Sequence, residues 1–341
     1  MHSRDPQREA PPHSPESRAL DAADDQDYRV CSTFLLDHAA GEAEGLYGPQ
    51  SLTWEIWREP ILLVAGVPAV LLQVAHPAIA TGVGRLSNFR HDILGRARRT
   101  FVSLYQLVFG DLQEARNASR RLHVLHRRVR GPIEDPGGES DGTAYRANQQ
   151  ELLRWVGATV AMSGLQVFQR YIRPLSEEEK DRWYGEYQIA AASTGVRPDL
   201  LPPTRIEMEQ WYEAELRSPK LHITPLAKEV AAAMFNSHLT HGPLDEVLAA
   251  GLLPPEWRDA FGLPWGPAQK RSFHAVDTSL QLFHRYSPPE LRASVAWHQA
   301  KLRVARAHGQ PESRRARLMN AIDRRIDLPL SIRPIAEGVD D

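Results

Sequence analysis

Two histidines stand apart by what surrounds them. His126 lies in DLQEARNASRRLHVLHRRVRG, Asp111 to Gly131, where Leu112, Ala115, Ala118, Leu122, Leu125, His126 and Val129 recur at three- and four-residue steps. That spacing predicts one face of a helix turned to the interior, with the imidazole among it. A buried neutral imidazole needs either a hydrogen-bond partner or a metal. Arg120, Arg121, Arg127, Arg128 and Arg130 crowd the same run, so the pattern points to an anionic, metal-bearing cofactor such as haem, with a plain core histidine as the alternative. His76 lies in QVAHP, Gln73 to Pro77. Pro77 should end or kink its helix and leave carbonyl groups without their usual partners. A histidine there either caps them or serves a ligand by hydrogen bonding, proton transfer or coordination.

The elements that must position these residues read as helices almost throughout. Ile61 to Val83 is apolar enough to raise the question of a membrane span, but Pro68, Gln73, His76 and Pro77 interrupt it. A kinked helix buried in a core is the expectation. Ile93 to Gly110 carries a broad apolar face, and Gly131 and Pro132 should end the His126 helix. Gly131 to Ala147 reads as a loop. Asn148 with Glu151, Ser176 with Glu179, and Thr204 with Glu207 have the spacing of helix N-terminal caps. Pro225 to Asn236, Ala268 to Phe283 and Pro289 to Ala307 are further helices. The expected fold is all-α, a single multi-helical domain over residues 28–310. A disordered tail over 1–27 precedes it, and a helical extension and tail over 311–341 follow.

Composition narrows the function classes. The 341 residues have 42% hydrophobic content and a formal net charge of −2, which suits a large core and argues against a general nucleic-acid binder. The only cysteine, Cys31, excludes an internal disulfide and a C-x-x-C-H haem attachment, and it stands in no thiolate-ligand context. No apolar export segment opens the chain, so the expected location is cytoplasmic with no stable membrane span. His123 stands one turn before His126, either as a supporting group or as half of an H-x-x-H metal pair. His238 and His241 precede Gly242 and Pro243 and read as caps at a helix end. Trp155 reads as core, and the basic run Leu302 to Arg325 as a solvated terminal region.

QVAHPAIATGVG from Gln73, GRARRT from Gly95, the Phe109–Gly110 pair, HRRVRG from His126 and YRANQQELLRWVGAT from Tyr145 resemble, in order and spacing, the motifs of the DUF2236 family. That family includes the MpaB-type oxygenases and the latex clearing protein rubber oxygenases. The resemblance covers about residues 30 to 310. It implies a globin-like helical core binding one haem b without covalent attachment, with His126 as the proximal iron ligand and Arg130, four residues on, as its companion. RARRT, Arg96 to Thr100, is similar to an R-x-x-K-T element on the distal side. Arg99 stands where the family has lysine, and a guanidinium that keeps its proton is a poor sixth ligand.

The resemblance further implies that His76, Arg96 and Thr100 border the oxygen site, that Arg130 and Arg99 touch the cofactor, and that dioxygen attacks an unsaturated apolar, prenyl- or polyketide-like molecule. An electron donor remains open. Polyisoprene is argued against by the missing export segment, and the family's catalytic glutamate has no clear counterpart here. A non-catalytic haem sensor or carrier, and a cofactor-free helical scaffold, are the competing readings.

Overall fold

A computed structural model describes residues 15–86, 93–236 and 243–326. Its described part is nearly all helix, as the periodicity predicts. The apolar stretch forms the centre. It folds as a 3-10 helix, Pro60–Ala65, then α3, Gly66–Val74, and α4, Pro77–Gly84. The axis turns by 115° at the break between α3 and α4. Leu71, Val74, Ala75 and Ala80 are fully buried. Among the described residues no single helix is long and apolar enough to cross a membrane.

The long helix α7, Gln150–Tyr171, backs this centre. Trp155 is buried against it, donates its indole N–H to Leu72 O at 3.2 Å and stacks on Tyr212 at 5.5 Å. Gln73, polar in an apolar run, donates to Thr159 Oγ1 at 3.0 Å, so its burial carries no unmet amide. Around this core α8, Glu177–Ser193, and α9, Arg205–Leu216, follow, then α10, Pro225–Asn236, α11, Pro243–Leu252, α12, Pro255–Ala260, and α13, Pro267–Tyr286. Ser176 and Glu179 form the expected reciprocal cap, and Thr204 accepts from Glu207 N. At α7 the cap falls elsewhere: Gln149 is the capping position, and Asn148 donates instead to His123 O at 3.4 Å.

Two helices, α5, Ile93–Phe109, and α6, Leu112–Arg128, make an antiparallel hairpin turned at Gly110. A Cβ at Gly110 would collide with the Gln106 carbonyl, so the turn requires glycine. Asp111 caps α6 in a reciprocal arrangement with Glu114. Past α6, the segment expected as a plain loop holds a short antiparallel ribbon, β1, Arg130–Pro132, paired with β2, Ala144–Arg146.

At the start of the chain, α1, Pro15–His38, is helical where a disordered tail was expected up to Asp27. Tertiary ion pairs explain the difference: Asp21 meets Arg130 at 2.9 Å, Asp24 meets Arg146 at 2.7 Å, Asp25 meets Arg127 at 2.9 Å and Asp27 meets Arg197 at 3.3 Å. A composition rich in charge looks disordered only while its partners lie a hundred residues away. Cys31 and Leu35 on the same helix join Trp54 of α2, Leu52–Trp57, and Tyr105 and Phe109 of α5 in a second apolar cluster.

The predicted helix Pro289–Ala307 is two pieces, α14, Pro289–Arg292, and α15, Val295–Ala307, because Ser294 caps a new start. The helix α16, Arg314–Ile326, lies on α15. Glu59, fully buried at the N-terminus of the 3-10 helix, ties this part to the core through Arg292 at 2.6 Å and Arg58 at 3.1 Å. Arg292→Ala should cost about 3 kcal/mol in denaturant unfolding, because it strands much of a buried carboxylate. The Glu59→Gln/Arg292→Met double variant should recover part of that loss, and a double variant as unstable as the sum of the singles would show the pair acts independently.

Candidate functional site

The α5–α6 hairpin sets the geometry of the site. Because the two helices run antiparallel through Gly110, the first turns of α5, with Arg96, Arg99 and Thr100, lie at the same end as the last turn of α6, with His126. Sequence placed these residues in one site, and the hairpin brings their backbones to one end. Arg99 and Thr100 are exposed there.

The inward stripe of α6 holds for its first half only. Leu112, Ala115, Ala118 and Ser119 are buried, whereas Val124 and Leu125 are 41% and 58% exposed. At that end α1 reaches Arg127 and Arg130, and Val129 packs on the main core, while Val124 and Leu125 face outward; His126 is half-buried, with its Nδ1 buried. A half-buried imidazole is of the donor type that haem iron takes, and in that one respect the residues present fit haem.

Its arginines are otherwise engaged. Arg130 donates to Asp21 and, at 2.8 Å, to Arg127 O, closing the end of α6. Arg127 holds Asp25 with both carboxylate oxygens near 3 Å, and Arg121 donates to Gln106 at 2.6 Å. His123 contacts Asp25 through Nε2 at 3.2 Å and stacks on Tyr28 at 4.5 Å. Its ring thus serves the α1–α6 contact. Among the described residues no group of three or more His, Cys, Asp or Glu is arranged to hold a metal ion. Burial pushes the Cys31 thiol up to about 12, which keeps it protonated and unsuited to thiolate ligation.

His76 is a cap, with the polarity opposite to the sequence expectation. It accepts the Ala78 N–H at Nδ1, 3.2 Å away, and so closes the N-terminus of α4, not the carbonyl end of α3. Pro77 at the first position of α4 has no N–H to satisfy. Accepting at Nδ1 needs the lone pair there, so the neutral ring carries its proton on Nε2. In that tautomer the free edge is a hydrogen-bond donor and not an iron ligand. Burial holds the His76 pKa down to about 4, with Glu151 acting against burial and Lys220 and His222 with it.

A cluster that sequence reading missed surrounds this break. His222 donates its backbone N–H to Ala75 O at 2.8 Å and places Nε2 at 2.8 Å from the buried Asp135. Burial opposes ionisation of Asp135, but hydrogen bonds from Ser140 and His222 outweigh it and hold the carboxyl below its ordinary value. Thr81 of α4 donates to Pro77 O and accepts from Glu134 N, and Arg85 grips Glu134. No local spacing announces the His222–Asp135 pair, which is separated by 87 residues in two irregular segments. His238 and His241 lie outside the described residues.

The described residues form a mostly helical domain in which the α5–α6 hairpin carries a half-buried histidine near its open end. The family model described as "ER-bound oxygenase mpaB/B'/Rubber oxygenase, catalytic domain" matches residues 54–282, and the chain belongs to that family. No curated protein and no solved structure matches it. Membership makes this an oxygenase-family domain, and the matched span contains both α3–α4 and the whole α5–α6 hairpin.

The His76 cap has a pH signature. Below pH 6.5 the unfolded chain protonates this ring, while the folded chain resists protonation until about pH 4. Stability from this group therefore falls as pH drops through that window, by on the order of 2 kcal/mol. His76→Asn keeps a capping side chain without the titration, so its urea midpoint should change less between those pH values than that of the wild type. Equal slopes would assign the acid sensitivity to another group. His76→Ala should lose the cap as well, at about 1 kcal/mol.

Proposed function

We propose that the protein binds one haem b at the open end of the α5–α6 hairpin, with His126 as axial ligand, and uses dioxygen to oxidise an unsaturated apolar small molecule. The observation that carries this reading is the half-buried His126 near the open end of the hairpin, with Leu125 exposed on the same turn, in a family of oxygenases. When bound, the haem supplies the redox chemistry that activates dioxygen. The chain's own residues bind, orient and exclude water.

His126 contributes the imidazole, and the exposed Leu125 on the same turn offers apolar contact. Arg99 offers charge to a propionate and not a sixth ligand, since guanidinium keeps its proton. Arg96 and Thr100 share that end of the hairpin, and Thr100 offers a hydroxyl for orienting an oxygen atom. Should substrate or dioxygen reach the α3–α4 break, His76 would meet it as an Nε2–H donor. Arg127 and Arg130 come to a propionate only by exchanging Asp21 and Asp25 for it, an exchange of one carboxylate for another. The apolar class of the substrate follows from the family alone.

An absorption spectrum of protein produced with a haem precursor is the direct test. A Soret band that His126→Ala abolishes and His123→Ala preserves is the expected result. A colourless wild type that takes up no haem on reconstitution overturns the proposal. The propionate exchange makes a second expectation: Asp21→Asn/Asp25→Asn should tighten haem binding in a titration, by freeing two guanidinium groups. Unchanged affinity would place the propionates away from Arg127 and Arg130.

A further inference from the structure

The helix α13 touches the body along one narrow stripe and leaves most of its circumference uncovered. Phe273, Asp277 and His284 are its buried residues. Asp277, its only carboxylate, is spent internally on Arg170, with oxygens at 2.5 and 2.9 Å from the guanidinium. On the opposite face Arg271, His274, Thr278, Leu282, Arg285 and Tyr286 recur at helical steps, and all six are exposed.

That face is both apolar and cationic. Leu282, Phe283 and Tyr286 are 49%, 56% and 75% exposed at the C-terminal end, with the Arg285 guanidinium 5.9 Å from the Tyr286 ring centroid. At the N-terminal end, Trp265, Phe273 and Ala275 line an open cleft of about 680 Å³ with Lys270, Arg271 and His274 at its rim. Permanent cations stand near both ends of the helix, Lys270 and Arg271 at the first and Arg285 at the second, where Arg285 adjoins the exposed Leu282, Phe283 and Tyr286. The nearest following carboxylate is Glu290, on α14.

We infer that α13 docks on an anionic lipid surface, with Leu282, Phe283 and Tyr286 entering the acyl boundary and the cations meeting headgroup phosphates and carboxylates. Large apolar side chains left in water cost free energy that a lipid interface returns, and the cations select the sign of that interface. A protein partner with a purely apolar surface would leave the three cations unmatched. The bilayer answers both features, because aromatic side chains favour its interfacial layer and basic side chains its anionic headgroups. The inference stands on this face alone and is independent of any cofactor at His126.

The experiment is co-sedimentation of the full chain with vesicles of phosphatidylcholine alone, and with vesicles in which about one lipid in four is phosphatidylserine. The expected result is binding to the mixed vesicles only, weakened by salt. Leu282→Gln/Phe283→Gln/Tyr286→Gln and, separately, Arg271→Glu/Arg285→Glu should each weaken it by at least about tenfold. All five positions are exposed, and an unchanged circular-dichroism melt would show that the fold survives. Absence of binding, equal binding to both vesicle types, or binding that neither variant weakens overturns the inference. Concentration-dependent self-association that the triple variant abolishes, without vesicle binding, overturns it in favour of a second copy of the chain.

Discussion

A helix broken within the apolar core is the constraint from which the rest of the arrangement follows. Between Val74 and Pro77 the apolar segment turns by 115°, with Val74 and Ala75 fully buried and His76 partly so, and the freed backbone groups find partners within the protein. The partners come from far along the chain. His76 serves the Ala78 N–H from within the break, and the backbone of His222 serves the Ala75 carbonyl. Holding His222 there recruits Asp135, and Asp135 fixes the loop that follows β1. The same loop is held a second time, by Thr81 at Glu134 N. One break thus determines where the strand leaving α6 must go, and with it the orientation of the His126 turn.

Charge organises the other side of that turn. The net charge is close to zero, but its distribution is far from uniform: α6 ends in a cationic cluster and α1 carries a row of aspartates that meets it. These pairs are partly exposed, so each contributes little stability by itself. Their larger effect is on specificity of placement. Four aspartates within two turns of α1 match arginines from α6, the ribbon and the segment after α8, and together they fix the docking of α1. The apolar side of α1, with Cys31 and Leu35 buried, makes that docking worth forming.

The sequence exposed the features that obey a local period or cap rule. The helical class, the α5–α6 pair, the caps at Ser176 and Thr204 and the core role of Trp155 all rest on residues within a turn or two of each other. What escaped it depends on contacts across long separations. The order of α1 needs arginines about a hundred residues away, and the His222–Asp135 pair sits in irregular chain with no period to read. Leu125 shows a third kind of failure: a stripe can be continuous in sequence and still outrun the element it packs against, so that its last turn faces out.

That last failure bears on how a cofactor site is recognised. A perfectly continued stripe would have buried His126 among Leu122, Leu125 and Val129 and left it a core residue with nowhere for a ligand to enter. The helix instead keeps its fully buried seam from Leu112 to Ser119 and then loosens it, so the imidazole is half-buried while Leu125 on the same turn is exposed. Here the ribbon and Arg130 close the helix from behind, and the α1 aspartates fix its flank. The break at His76 and the overrun at Leu125 are both departures from regular helix packing, and each leaves a histidine with one side committed to the fold.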